Sequence, residues 1–184
     1  LGNQAIPINI SIGPEWSVLI ITGPNTGGKT LAMKTFGLLA IMNQVGLRVP
    51  AEYGSFLTIF DGIYIDIGDN QSLENSVSAF GSRIGNVVDI LSCAGPHSLV
   101  LLDELGTSTD PEEGTALAQA ILGHLADGHV FTIATTHFRA VATYAEAIPG
   151  MMNASVNLDP STLQPTYVLA LGMPGRSHAM SMAA

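Results

Sequence analysis

Ile20-Ile21-Thr22-Gly23-Pro24-Asn25-Thr26-Gly27-Gly28-Lys29-Thr30 reads as the end of a buried strand, a glycine-rich turn and the opening of a helix. Gly23, four residues and then Gly28-Lys29-Thr30 satisfy the phosphate-loop pattern G-x-x-x-x-G-K-[ST] in full. Each residue type answers a chemical need. The β- and γ-phosphates of a nucleotide take several inward-pointing backbone N–H donors, and side chains would obstruct that approach. Glycines at 23, 27 and 28 clear it, Pro24, Asn25 and Thr26 complete the loop, and the following helix turns its positive end to the anion. Lys29 adds a point charge at the β/γ-phosphates, and the Thr30 hydroxyl suits Mg²⁺. A glycine-rich turn can match such a pattern by chance. The apolar run Val18-Leu19-Ile20-Ile21 before it and the helix-forming run after it supply the context that the pattern requires. The stretch reads as a nucleotide site.

With 184 residues the chain suits one well-filled domain, residues 1–184, rather than two. Its residues are 47% hydrophobic and 11% charged, which fits a buried parallel sheet and a face that meets another segment or subunit. It begins at Leu1 and stops at Met180-Ser181-Met182-Ala183-Ala184 without an evident helix cap, so it reads as a fragment of a longer protein. No apolar run approaches the roughly 18 residues of a membrane span, and no signal peptide is recognisable, which makes the cytoplasm the default location. Cys93 stands alone in an apolar stretch and reads as a packed core thiol. Six basic residues face fifteen acidic ones for a formal charge of −9, and Lys29 is already committed to phosphate. Such a chain cannot assemble a duplex-binding surface on its own, so any nucleic-acid contact must come from other regions.

Outward from the loop, alternation of Ile6, Ile8, Ile10 and Ile12 predicts a half-buried edge strand, turned at Gly13-Pro14 into a strand over Ser17 to Thr22. A helix is expected from Thr30 to Val45, stopping at Gly46. Ser55 to Phe60 and Ile63 to Ile67 read as two short strands split by Asp61-Gly62, a hairpin signal. After a polar turn at Gly68 to Ser72, Ile84, Val87, Val88 and Leu91 predict a helix from about Ser78 to Cys93, broken at Gly95-Pro96. Ser98 to Leu102 is a continuous apolar strand. Asp110-Pro111-Glu112-Glu113 opens the next helix, with an Asp cap and Pro at the first position. Val130 to Thr135 is another buried strand, Phe138 to Ala145 a short helix, and Met151 to Leu158 with Thr166 to Leu171 a final hairpin. This alternation places the chain among α/β proteins with a mainly parallel sheet and an antiparallel edge.

Asp103 and Glu104 end the strand Leu99-Val100-Leu101-Leu102, where open α/β sheets place their ligands. Asp103 suits the holding of Mg²⁺, and Glu104 the polarising of the water that attacks the γ-phosphate. A carboxylate at a strand end is ordinarily a meeting with solvent, but a phosphate loop upstream changes that balance. Thr135-Thr136-His137 closes the next strand similarly, and there the His137 ring can sense the γ-phosphate or orient the water. Ser78 taken alone is an ordinary helix N-cap. Glu112 and Glu113 are first-turn acids favouring the helix dipole, and His124 and His129 have the wrong spacing to share a zinc ion.

Four blocks in order, Gly23 to Thr30, Ser76 to Phe80, Leu101 to Gly106 and Thr135-Thr136-His137, make the chain resemble the ATPase module of MutS-like proteins. Thr26, the run Thr109 to Gly114, Asn153 to Val156 and Pro174 to Ser177 bring it nearest to the bacterial type-two members. The resemblance implies a P-loop NTPase of the ABC-ATPase type that binds ATP and Mg²⁺ as a homodimer. It implies that Ser78 reaches the γ-phosphate held by the other subunit and that His137 acts as a switch histidine. It further implies lever or clamp regions and a C-terminal Smr nuclease domain in the parent protein, which would act on branched DNA or split stalled ribosomes. Ala79 and Gly81-Ser82-Arg83 depart from the usual segment after the serine, which relatives continue with Thr and then Ser-Ser-His. Trp16 and Tyr53 are the aromatic candidates for the base. Two other readings stay open: the ATPase module of a mismatch-repair MutS, and a switch that senses ATP or ADP with little turnover.

Overall fold

The computed structural model describes residues 6–13, 15–68, 76–107, 109–159, 162 and 164–172, with only the backbone described at Asn25 and at residues 76–80. In chain order the elements are β1 (Val18–Thr22), a 3-10 turn (Asn25–Gly27), α1 (Lys29–Gln44), β2 (Gly62–Asp66), α2 (Ser76–Cys93) and β3 (Ser98–Leu102). There follow α3 (Pro111–Asp127), β4 (Phe131–Thr135), α4 (Arg139–Ala147), β5 (Met151–Leu158) and β6 (Pro165–Leu171). The six strands form one sheet in the order β2-β3-β4-β1-β5-β6. Every neighbouring pair is parallel except β5 with β6. This is the mainly parallel α/β sheet with an antiparallel edge that the strand–helix alternation predicts.

Both faces of the sheet are covered, which is why β1 and β3 read as unbroken apolar runs and are buried at every position. Successive side chains still point to opposite faces. Val18, Ile20, Val100 and Leu102 share one core with Val87 and Ile90 of α2, Ile121 and Leu125 of α3, and Val141 of α4. Leu19, Ile21, Leu99 and Leu101 face the other way, against Ala32, Met33, Phe36 and Ala40 of α1. α1 lies so close to β3 that a Cβ on Gly37 would come within 2.5 Å of Leu101 Cδ1. A mid-helix glycine costs about 1 kcal/mol against alanine, and here the close approach offsets it.

α3 starts as its sequence requires. Asp110 Oδ1 accepts the Glu112 N–H at 2.9 Å, Pro111 occupies the first turn, and the Thr109 hydroxyl donates to Glu113 at 3.1 Å. Behind that turn, a Cβ on Gly114 would meet the Gly106 carbonyl oxygen at 2.0 Å, so two backbones touch where the loop after β3 passes the helix.

Three expectations are corrected. Residues 6–12 form no strand; Ile8, Ile10 and Ile12 instead pack against the α1-side core as an extended segment. Alternation specifies an extended chain with one buried face but supplies no ladder partner. Residues 55–60 likewise form no strand and make no hairpin with β2, which pairs in parallel with β3. Gln44 takes over the bonding of that segment, its side chain exchanging bonds with the Phe60 backbone at 2.7 and 3.2 Å. Cys93 is exposed, not packed in the core, because Ile90, Leu91 and Ala94 carry the core packing at that end of α2. The polar turn falls largely on residues 69–75 and the block Pro174 to Ser177 wholly beyond 172, so both lie outside the described residues.

Candidate functional site

β4 lies between β1 and β3 in the sheet, so the carboxyl ends of all three strands open on one crevice. The loop after β1 wraps the start of α1 around that crevice. Gly28, the residue before the helix, has φ 92°, and a Cβ there would also press within 2.8 Å of the Tyr167 ring. Only glycine satisfies both constraints. Lys29 is 2% exposed, and its ammonium donates to the Gly23 carbonyl oxygen at 2.8 Å, folding the side chain back across the loop. Burial lowers its pKa, while the nearby charges of Glu104 and Asp103 raise it in part.

The phosphate loop and the end of β3 meet directly. The Thr30 hydroxyl lies 2.9 and 3.0 Å from the two carboxylate oxygens of Asp103. Thr135, at the end of β4, donates its hydroxyl to Asp103 Oδ1 at 2.6 Å. The same Thr135 oxygen accepts the Glu104 N–H at 2.8 Å. Asp103 is 5% exposed and Thr135 fully buried, so these bonds form where water competes little. Glu104 follows with φ 47°, a left-handed conformation unusual outside glycine, and its half-buried position turns the chain out of the sheet. The Leu105 N–H returns to the Thr135 carbonyl oxygen at 2.9 Å, fastening the turn to β4.

Thr136 is buried, its hydroxyl donating to the Leu105 carbonyl and accepting from the Phe138 N–H. His137 is exposed at the rim, with its ring 4.5 Å from that of Phe138. The structure therefore brings together Gly23 to Thr30, Asp103, Glu104 and the end of β4. Ser78 is placed in the first turns of α2, and its side chain lies outside the described residues.

A cleft of about 570 Å³ opens beside the loop, lined by Ile6, Pro7, Ile8, Gly28, Leu31 and Tyr167 among others. Neither aromatic named from sequence lines it. Trp16 is half-buried and donates its indole N–H to the Ser11 carbonyl, and Tyr53 is fully exposed. Tyr167 is not legible from the sequence because it reads as one aromatic in a strand. Its placement comes from the β5–β6 hairpin and from its own positive φ of 55°. Thr135 stands in a block that the sequence singles out, but only the structure shows its hydroxyl reaching two residues at the end of β3.

The oxygens of Thr30 and Asp103 suit a magnesium ion, which binds through one or two protein oxygens and leaves its remaining positions to phosphate and water. Among the described residues no helix is long and apolar enough to cross a membrane.

Residues 19–184 match MutS domain V, a P-loop ATPase domain. The chain is 52% identical over 180 residues to a protein named endonuclease MutS2 from Alkaliphilus metalliredigens, covering 98% of this chain and 23% of that protein. It is 52% identical over 184 residues to the endonuclease MutS2 of Pelotomaculum thermopropionicum, covering the whole chain and 23% of the relative. Against the endonuclease MutS2 of Thermomicrobium roseum the identity is 51% over 179 residues, again 23% of the relative. The chain thus spans about a quarter of the length of the curated relatives that it matches. With the phosphate loop, the acidic strand end and the buried threonine converging at one crevice, the chain belongs to the MutS family, as its domain V.

Proposed function

We propose that this chain binds ATP with Mg²⁺ and hydrolyses it, as the single ATPase domain of a type-two MutS-like protein. The observation that carries the reading is the contact of the Thr30 hydroxyl with both oxygens of Asp103, which brings the phosphate loop to the acidic strand end. Gly23 to Thr30 cradle the phosphates with backbone N–H groups, and Lys29 exchanges the Gly23 carbonyl for phosphate oxygens. Thr30 and Asp103 hold Mg²⁺, which when bound supplies positive charge at the β- and γ-phosphate oxygens. Glu104 accepts a proton from, or orients, the attacking water, and His137 reads the γ-phosphate from the rim. The adenine ring rests in the cleft against Tyr167, whose aromatic face suits a base.

Two copies complete each site, with Ser78 of one closing over the phosphates held by the other. The place of Ser78 in the first turn of α2, whose N-terminal end suits an anion, supports that arrangement. In the parent protein the ATPase cycle drives conformational change for branched-DNA binding or stalled-ribosome splitting. The charge of −9 supports assigning the nucleic-acid contacts to regions outside this chain.

Phosphate release measured across protein concentrations tests the reading. Rate per subunit rising with concentration is the expected result. A flat, appreciable rate would remove the composite site, and undetectable turnover alongside tight nucleotide binding would favour a sensing switch. Affinity of the intact protein for mismatched against branched DNA separates the type-two reading from mismatch repair.

A further inference from the structure

The peptide that joins Asp103 to Glu104 is gripped at both of its polar ends. Its N–H donates to Thr135 Oγ1 at 2.8 Å, and its carbonyl oxygen, on Asp103, accepts from Arg83 Nη2. The grip has something to hold. Glu104 lies in the left-handed region, which costs a side-chain-bearing residue roughly 1–2 kcal/mol, so bonds from outside the turn must maintain it.

Arg83 is itself anchored. Its Nε pairs with Asp66 Oδ2 at 2.8 Å, with the two side chains 16% and 9% exposed. The other oxygen of Asp66 accepts from Asn86 Nδ2 at 3.0 Å, and Asn86 stands one helical turn beyond Arg83 on α2. Asp66 closes the circle from the last position of β2, where its carbonyl accepts the Asp103 N–H at 2.9 Å. One guanidinium thus bonds the end of β2 through Nε and the end of β3 through Nη2. A planar fork can do this in one fixed geometry, whereas an ammonium cannot.

We infer that Arg83 is a positioning residue for hydrolysis: by fixing the Asp103–Glu104 peptide from α2, it sets where the Glu104 carboxylate points. The inference rests on the role proposed above for Glu104. It adds that the presentation of that carboxylate depends on where α2 sits against the strand ends. Arg83 Nη2 bonds the peptide carbonyl that leads into Glu104, so its loss should strike the chemical step more than nucleotide and metal binding.

The test compares Arg83→Gln, Arg83→Lys and Asp66→Asn in the intact protein, with Glu104→Gln as reference. For Arg83→Gln the expected result is ATP and Mg²⁺ affinities within about two-fold of wild type and a kcat lower by roughly 10- to 100-fold, the scale of a misplaced reacting group. Arg83→Lys should recover only part of that loss. Asp66→Asn, which keeps the cation but loosens its anchor, should also lower kcat alone. The pair Arg83→Gln with Asp66→Asn should cost little more than the worse single change, because both act through one contact set. A kcat within two-fold of wild type for Arg83→Gln, or kcat and affinity falling together with the melting temperature, overturns the inference. Should Arg83→Gln fail to fold, Asp66→Asn decides in its place by the same two readouts. If Glu104→Gln turns over as wild type does, the proposed role of Glu104 falls and this inference with it. If Glu104→Gln is inactive while the Arg83 and Asp66 variants stay active, only this inference falls.

Discussion

Thr30 and Asp103 are 73 positions apart in the chain, yet the hydroxyl of one lies within 3.0 Å of both carboxylate oxygens of the other. The bond is charge-assisted and worth about 1.5–3 kcal/mol where water competes little. Thr30→Val should therefore weaken Mg²⁺-dependent ATP binding by about ten-fold or more, and leave binding measured in chelator much less affected. Thr30→Ser should restore most of the loss. Equal weakening with and without the metal would remove Thr30 from the metal site.

Lys29 gives a pH signature. Its pKa lies below the ordinary 10.5 because burial penalises the charged form. A bound polyphosphate adds negative charge beside it and raises that pKa again. Between the free and bound values, binding takes up a proton, so affinity should fall as pH rises from the one to the other. For the free protein the unfolded state holds more protons between the lowered value and 10.5, so this residue makes stability rise with pH there. Calorimetry in two buffers of different ionisation heat reads the proton directly. Proton release, or no buffer dependence, would contradict the assignment.

Glu104→Gln should keep ATP affinity within a few-fold while hydrolysis drops by at least about 100-fold, the usual scale for losing a general base. Turnover that survives within a few-fold would show that another group activates the water.

Tyr167 should matter to the base and not to the phosphates. Tyr167→Ala is expected to weaken ATP by about ten-fold, in line with a lost ring contact of about 1–1.5 kcal/mol, and to leave inorganic triphosphate binding unchanged. Competition between the two ligands measures it. Equal loss for both would mean that Tyr167 acts by shaping the loop at Gly28.

A stability check lies away from the site. Asp110→Ala removes the cap bonded to the Glu112 N–H and should cost about 1 kcal/mol. That is a fall of roughly 2–4 °C in melting temperature for a chain of this size, with nucleotide affinity unchanged.

Much of this is legible in the amino-acid order. Phosphate loop, acidic strand end and capped helix are local patterns, and Gly28, Asp103 and Asp110 carry their chemistry within a few residues of sequence. What stays hidden depends on partners distant in sequence. Ile6 to Ile12 alternate as a strand does, but a ladder needs a neighbour that alternation does not name. Tyr167 reaches Gly28 only because β6 folds back on β5, and Arg83 reaches Asp103 only because α2 crosses the ends of β2 and β3. The exposure of Cys93 escapes the sequence because an apolar run does not say which of its neighbouring residues, here Ile90, Leu91 and Ala94, take the places against the core.

The place of β4 in the sheet has a consequence for the order of events in folding. β1 and β3 have no ladder to each other; each pairs with β4. Residues 131–135 join the strand that leads to the loop at 23–30 with the strand that leads to the acids at 103–104, so the sheet beneath the site is complete only with them in place. Their insertion is a non-local, entropically costly step. A nucleotide that needs both halves can stabilise only chains in which it is complete. Ligand added during refolding should accordingly slow unfolding of the finished sheet and leave its rate of assembly unchanged.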